Sequence, residues 1–332
     1  MSSTEDPGGE SGAGGSRGAW ILERRPDLSA QRRALPVDRP QGWIEEWEPD
    51  ATGSPQRFLT VFLTNRECPW RCLMCDLWRH TTLDPVPSGA IPQQIRVARA
   101  SVSGPYGLKL YNAGSFFDPG AIPVEDHPEI ARILRDCRRV VVECHPRLVG
   151  PRVTAFARRL APGALEVAMG LETANPEVLA KLNKGMTVAD FVAAAGFLRD
   201  AGIGVRAFIL VKPPYLDAAA ALDWAVRSAQ VAFESGADVV SLIPTRGGPG
   251  VLDDLARLGD FSEPTLDLFE AAVEGALSLR MGRVFADLWD LQRFGGGRTD
   301  FPARKSRLAA MNAGQRVLPR PTREAAAGHP AF

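Results

Sequence analysis

Disulfide potential, a membrane span and an excess of charge of either sign are all missing from this chain. Of its 332 residues only five are cysteine. An odd number in a chain of this length argues against a disulfide framework and for a reducing compartment, the cytoplasm. No apolar run reaches the roughly 18 to 20 residues that cross a bilayer, so no membrane anchor is expected. The opening "MSSTEDPGGESGAGGSRG" has no apolar stretch either, which excludes a secretory signal. Lys plus Arg and Asp plus Glu stand at 39 each, so the field of the whole chain does not advertise a polyanionic partner, while a local basic patch remains allowed. No repeat of about 20 to 50 residues is present, which argues against a solenoid.

What is present is the composition of a soluble globular protein, 45% hydrophobic and 23% charged, long enough for one large barrel or two ordinary domains. Short apolar runs at 58–64, 108–113, 139–144, 165–170, 205–211 and 238–243 are rich in Val, Ile and Leu. Such near-continuous runs are those of parallel strands covered on both faces. Between them lie stretches of helical period. Val188, Phe191, Val192, Ala195 and Leu198 follow Thr187 and Asp190, a pair placed to form a capping box. Leu222 to Phe233 and Leu266 to Leu277 repeat the pattern. Alternating strand and helix predicts an α/β fold, a partial (β/α)6 TIM-like barrel with N- and C-terminal extensions. The expected organisation is a disordered tail over 1–40, a core domain over 41–290 and a basic, partly disordered extension over 291–332.

The chemistry is concentrated in "ECPWRCLMCDLWRH". Cys68, Cys72 and Cys75 fall within eight positions, directly after the first strand, where a parallel barrel gathers its functional loops. Three thiolates are one short of a closed tetrahedral site. Structural zinc would take His80 as fourth ligand, but zinc sites usually come as two short pairs, and no second pair exists. A [4Fe–4S] cluster held by three thiolates would keep one iron open, and spacing and context favour it. Cys137 and Cys144 are too few for a second cluster and read as buried core thiols.

The C-x3-C-x2-C spacing on that loop resembles the signature of the radical S-adenosylmethionine (SAM) superfamily. Within it, "CPWRCLMCDLWRHTT", "GSFFD", "GLET" and "VKPP" are similar to the branch containing the elongator catalytic subunit and the MiaB methylthiotransferases, and most of all to the archaeosine-biosynthesis group and its bacterial relatives. The resemblance covers residues 58 to 245 and implies a barrel of the radical SAM type. It implies two cofactors, a [4Fe–4S] cluster on Cys68, Cys72 and Cys75, and SAM. Met74 stands where the family usually has an aromatic residue beside adenine. Asn112, Ala113, Gly114 and Ser115 form the small-residue turn that would hold the SAM amino group, although the family's frequent carboxylate is missing from it. Glu143 and Arg147 hold positions similar to a Glu and an Arg of the family. Glu172 and Thr173 would face the ribose or methionine part of SAM, with Lys184 near by, and Arg206 and Lys212 would be partners for carboxylates.

The implied activity is reductive cleavage of SAM to a 5′-deoxyadenosyl radical, fed by a flavodoxin- or ferredoxin-like reductant protein. Sulfur insertion is disfavoured for want of a second cluster, and elongator-type chemistry for want of an acetyltransferase domain. The implied substrate is a nucleoside in tRNA; the alternatives are the same radical chemistry on a small molecule or peptide and, from a different class, a zinc-binding module without catalysis. The segment from 291 onward carries eight Lys/Arg against two Asp/Glu, and Arg298, Arg304, Lys305 and Arg307 are the expected phosphate contacts.

Overall fold

The computed structural model describes residues 16–321 except Pro249. Its frame is one sheet of eight strands whose spatial order follows the sequence: β1 (Gly42–Pro49), β2 (Pro55–Phe62), β3 (Gly107–Tyr111), β4 (Val140–Glu143), β5 (Leu165–Glu172), β6 (Gly204–Val211), β7 (Val239–Pro244) and β8 (Arg283–Ala286). β1 runs antiparallel to β2, and every later pair is parallel. β2 to β7 are the six expected strands. β8 adds a seventh parallel strand, and β1 was not expected at all.

Eleven helices surround the sheet among the described residues: α1 (Ser16–Glu23), α2 (Ser29–Arg33), α3 (Ala90–Arg99), α4 (His127–Ile133), α5 (Pro151–Ala157), α6 (Pro176–Lys181), α7 (Val188–Asp200), α8 (Ala218–Glu234), α9 (Val251–Leu258), α10 (Leu266–Ser278) and α11 (Phe301–Gly314). α7 begins with the expected capping box of Thr187 and Asp190, which satisfies two otherwise orphaned backbone N–H groups. The main core lies between sheet and helices, where Val61, Leu110, Val142, Val167, Ile209 and Leu242 meet Ile95, Ile130, Phe156, Phe191 and Phe269. Cys137 and Cys144 belong to it. Both are buried thiols.

The concave face holds charge instead. Arg206 pairs with Glu48 and Glu166, each at 2.7 Å, and Lys109 pairs with Glu46 at 2.8 Å and with Glu48. Arg139 closes the set on Glu166. These groups lie on the N-terminal halves of the parallel strands and form the floor of the barrel, with Glu46 and Glu48 supplied by β1. Burial pushes the Glu48 carboxyl up, but Arg206 and Lys109 beside it hold it well below the usual range.

The sheet does not close, because β1 and β8 do not pair. Arg283 spans the gap with a 3.0 Å hydrogen bond to the Pro49 carbonyl, and α11 covers the free edge of β8. Asn312 exchanges hydrogen bonds of 2.7 and 2.9 Å with the backbone of Ala286, and Gln315 exchanges 2.8 and 3.0 Å bonds with Val284. Two side-chain amides thus stand in for a neighbouring strand.

Both extensions differ from expectation. Disorder over 1–40 was inferred from Gly and Ser near the start; residues 1–15 lie outside the described set, but 16–40 carry α1 and α2. Trp20 and Ile21 of α1 pack on Leu73, Val251, Leu255 and Phe261, and Arg32 of α2 donates to the Thr81 carbonyl at 2.9 Å. Apolar burial and side-chain hydrogen bonds outweigh composition there. In the C-terminal extension, expected to be partly disordered over 291–332, 301–314 form a docked helix, and 322–332 lie outside the described residues. No described helix is long and apolar enough to cross a membrane.

Candidate functional site

The loop leaving β2 carries Cys68, Cys72 and Cys75, all free and all partly buried. Backbone and side chains from across the barrel hold it. Leu73 N–H donates to the Leu182 carbonyl at 2.9 Å, and Asn183 Nδ2 to the Arg71 carbonyl at 2.8 Å. Trp70 lies flat on His145, rings 3.7 Å apart and 5° from parallel. Gly185, at φ +70°, makes room for this: a Cβ there would stand 2.7 Å from Trp70 Cδ1. Beneath the loop, Glu67 is clamped by Arg25, Arg32 and Arg71 at 2.6, 2.9 and 3.2 Å.

Desolvation pushes each of the three thiols up to about 12. As ligands they would have to lose those protons, so whatever binds them must return that cost. His80 is exposed, and among the described residues no three His, Cys, Asp or Glu side chains converge tightly enough for a single ion. That arrangement speaks against the compact Cys3His site. Thiolates of a cluster sit on separate irons and need not converge in this way.

The turn after β3 lies against the loop: a Cβ on Gly114 would be 3.3 Å from Cys68 Cβ. Ala113 takes a left-handed φ of 51° to make the turn. Ser115 Oγ accepts from His145 N–H at 2.7 Å. Asn112 is fully buried, and neither its side-chain oxygen nor its nitrogen has a partner. A buried amide left with both a donor and an acceptor free costs on the order of 1–3 kcal/mol and calls for a reason. Next to it, the carboxyl of Glu143 accepts from the backbone N–H of Asn112 at 2.8 Å. Burial nonetheless raises it to about 7, against the pull of the Asn112 and Ala113 N–H groups.

Glu172, at the end of β5 with φ 63°, is bonded to Lys184 Nζ at 2.7 Å, both groups buried. Gly170 leaves the space for that pair. Burial pulls the Lys184 ammonium down; Glu172, Cys72 and Cys68 together carry it above its usual range. A fixed positive charge therefore stands beside two of the three thiols. His145 is held neutral, at about 3, by burial and then by Lys184. Its Nε2 faces the Lys184 carbonyl at 2.9 Å and its Nδ1 accepts from Arg147 N–H at 3.3 Å, which makes it the Nε2–H tautomer. Neither Trp70 nor His145 was singled out from sequence. The Gly185 that admits their stack sits in plain view in "LNKG", but its partner is 115 positions upstream.

Several expected site residues are engaged elsewhere. Thr173 is buried and its hydroxyl accepts from Asn175 N–H at 3.1 Å, bracing the turn into α6. Lys212, at φ 58°, gives its ammonium to the carbonyl of Ser262 at 2.5 Å and to its hydroxyl. Met74 packs against the cluster of Val178, Leu182 and Leu210 and lines a shallow recess with Cys75, Arg246 and Val251. Arg147 is exposed and donates to the Gly185 carbonyl at 3.0 Å. Arg206 is the clearest correction. It stands five residues before the end of β6, about 17 Å below the mouth at strand rise, and both N–H edges of its guanidinium are taken by Glu48 and Glu166.

The expected phosphate contacts of the C-terminal extension are corrected as well. Arg304 and Arg307 are buried and paired with Asp267, Glu270 and Glu274 of α10, and Arg298 is bonded to Asp300 at 2.8 Å. These arginines dock α11. Of the four residues only Lys305 is exposed with no ion pair among the described residues.

No family model matches the chain. It is 30% identical over 182 residues to archaeosine synthase subunit beta of Thermococcus kodakarensis, covering 51% of this chain and 56% of that one. Archaeosine synthase subunit beta of Methanosarcina acetivorans is 28% identical over 226 residues, covering 64% and 65%. The chain thus spans between about half and two thirds of the length of these curated relatives. Among solved structures, coproporphyrinogen III oxidase from Escherichia coli, described as a radical SAM enzyme, is 15% identical with a TM-score of 0.47, covering 75% of this chain and 54% of that one. The similarity to the archaeosine-biosynthesis group, read first from four short motifs, extends over half of the chain and more.

Proposed function

We propose that the chain is a radical SAM enzyme acting on a nucleoside of tRNA. One observation carries the reading. Three thiols share a single loop, and one of them, Cys68, lies against a turn of small residues in which a fully buried Asn112 side chain has no protein partner. Cys68, Cys72 and Cys75 would hold a [4Fe–4S] cluster, and SAM would lie against Asn112 to Ser115. When bound, the cluster and SAM supply an electron and the 5′-deoxyadenosyl radical that takes hydrogen from the substrate.

The chain's own residues do the rest. The free donor and acceptor of Asn112 fit a zwitterion's ammonium and carboxylate. The Lys184 ammonium offsets negative charge gathered on the thiolates. Trp70, stacked on His145, and Leu73, covered by Trp20 and Ile21, keep water from the loop. The substrate class rests on the motif resemblance and on the relatives' names. Those names, subunits of a synthase, also support a second subunit as partner, alongside a flavodoxin- or ferredoxin-like reductant in the cytoplasm.

Purified without oxygen, the protein should be brown with about four irons per chain. With dithionite and SAM it should release 5′-deoxyadenosine. A colourless protein carrying one stoichiometric zinc would overturn the reading. A tRNA nucleoside profile identical in deletion strain and wild type would overturn its substrate half.

A further inference from the structure

The balanced charge of this chain hides a segregation. Residues 137–165, from the end of the α4 region through β4 and α5 to β5, hold six arginines, no lysine and a single carboxylate, Glu143, which is turned into the barrel. Residues 217–274, from α8 through α10, hold eleven Asp and Glu against three arginines. One flank is basic and another acidic.

The basic flank has not been spent on the fold. Arg135, Arg138, Arg152, Arg158 and Arg159 are all exposed, and none makes an ion pair or a side-chain hydrogen bond among the described residues. Arg147 beside them bonds the Gly185 carbonyl and forms no ion pair among the described residues. α4 and α5 pack side by side. Their common seam is marked by His127, which is depressed first by burial and then by both Arg152 and Arg159. Arg152, in the first turn of α5, and Arg159, two residues past its end, therefore both lie within electrostatic reach of that seam. The stripe starts at Arg147, the residue that abuts the Lys184–Gly185 segment of the candidate site, and descends the outside of the barrel. On α11 the same residue type is consumed: Arg304 and Arg307 each carry carboxylate partners.

Resting on the RNA reading above, we propose that the α4–α5 arginine stripe is the surface that grips the phosphate backbone of the RNA substrate, in place of the C-terminal helix. Unpaired guanidinium groups suit this task, since each offers a planar fork of donors matched to phosphate oxygens. The flank over α8 to α10 offers no comparable row of free guanidinium groups, since Arg227, Arg246 and Arg257 are paired with Asp223, Asp287 and Asp254.

The test uses the full-length, cluster-loaded protein and unmodified tRNA transcript, with binding titrated across salt. The triple variant Arg152→Glu/Arg158→Glu/Arg159→Glu should bind at least about tenfold more weakly at low salt and lose roughly two in the log–log salt slope. The milder Arg158→Ala/Arg159→Ala should fall between. The control Lys305→Glu/Arg316→Glu, on and beyond α11, should change binding less than twofold, and all variants should cleave SAM without RNA as wild type does. If wild type binds tRNA with a steep salt slope but the triple variant binds equally well, the stripe is wrong and the RNA reading stands. If wild type cleaves SAM yet shows no salt-sensitive tRNA binding, the RNA reading fails and the stripe with it. Should the triple variant keep tRNA and instead lose a co-purifying acidic subunit, the surface belongs to a protein partner and the proposal is overturned.

Discussion

The floor and the mouth of this barrel are both lined with polar groups, but they treat them in opposite ways. At the floor, Glu48, Glu166, Lys109 and Arg206 are buried and every charge has a partner of opposite sign. At the mouth, Asn112 has no side-chain partner, Glu143 is held near neutrality by burial, and three thiols stand protonated on one loop. Satisfied groups specify a structure. Unsatisfied ones await a ligand. The difference separates residues that hold the barrel from residues that would use it, and it predicts that substitutions at the two ends will fail different assays.

The largest contrast is all-or-none. Cys72→Ala should abolish iron loading and SAM cleavage while leaving the far-UV spectrum and the melting temperature of the metal-free protein close to wild type. Iron content per chain and differential scanning fluorimetry read the two sides. At the floor, Arg206→Ala should cost about 3–5 kcal/mol of stability by stranding two buried carboxylates, measured by urea titration, while the fraction that remains folded still loads iron. Loss of iron from folded Arg206→Ala would erase the distinction.

Glu143 gives a smaller, pH-dependent effect. Its carboxyl lies near 7 when folded against an ordinary 4.5, so between those values the native state holds a proton that the unfolded chain has released. Stability therefore falls as pH rises from about 4.5 through 7, by roughly 3 kcal/mol in full. Glu143→Gln should flatten that fall in thermal melts of the metal-free protein between pH 5 and 8. An unchanged pH profile would mean that the carboxyl titrates normally. Smallest of all, Asn112→Ala should leave the metal-free protein within about 1 kcal/mol of wild type, and on the more stable side, because an unsatisfied buried amide is removed. Its SAM affinity, by calorimetry on the loaded protein, should fall at least about tenfold. A large stability loss instead would place Asn112 with the floor.

Much of the fold was legible because β2 to β7 are continuous apolar runs and their crossover helices carry a clear 3.6-residue period. β1 escaped notice for a physical reason. It turns Glu46 and Glu48 inward and leaves Trp47 exposed to solvent, the reverse of the usual pattern, and its inward charges make sense only with Lys109 and Arg206 in place. β8 is four residues long, too short to show a period. The cysteine loop and the small turn after β3 could be read because their chemistry is local. The fates of Arg206, Lys212, Arg304 and Arg307 could not, since a basic side chain declares its charge and not its partner. Asp267, Glu270 and Glu274 lie at helical spacing on α10, and that spacing was the available sign that the basic extension would be neutralised.

The ion pair between Glu48 and Arg206 spans 158 residues, and that distance is also a time. A ribosome adding about 5 to 20 residues per second takes roughly 8 to 30 s to travel between the two codons. β1 and β2 meet as a local hairpin early in that interval, with Glu46 and Glu48 facing no counter-charge until Lys109 emerges. Arg139 emerges ahead of its partner Glu166, so the nascent floor carries one net negative charge until Arg206 neutralises it. Until the sixth strand leaves the exit tunnel Glu48 and Glu166 each lack the guanidinium that joins them, so a stall anywhere before that codon would strand an open floor with unfinished ion pairs for the quality-control machinery to recognise.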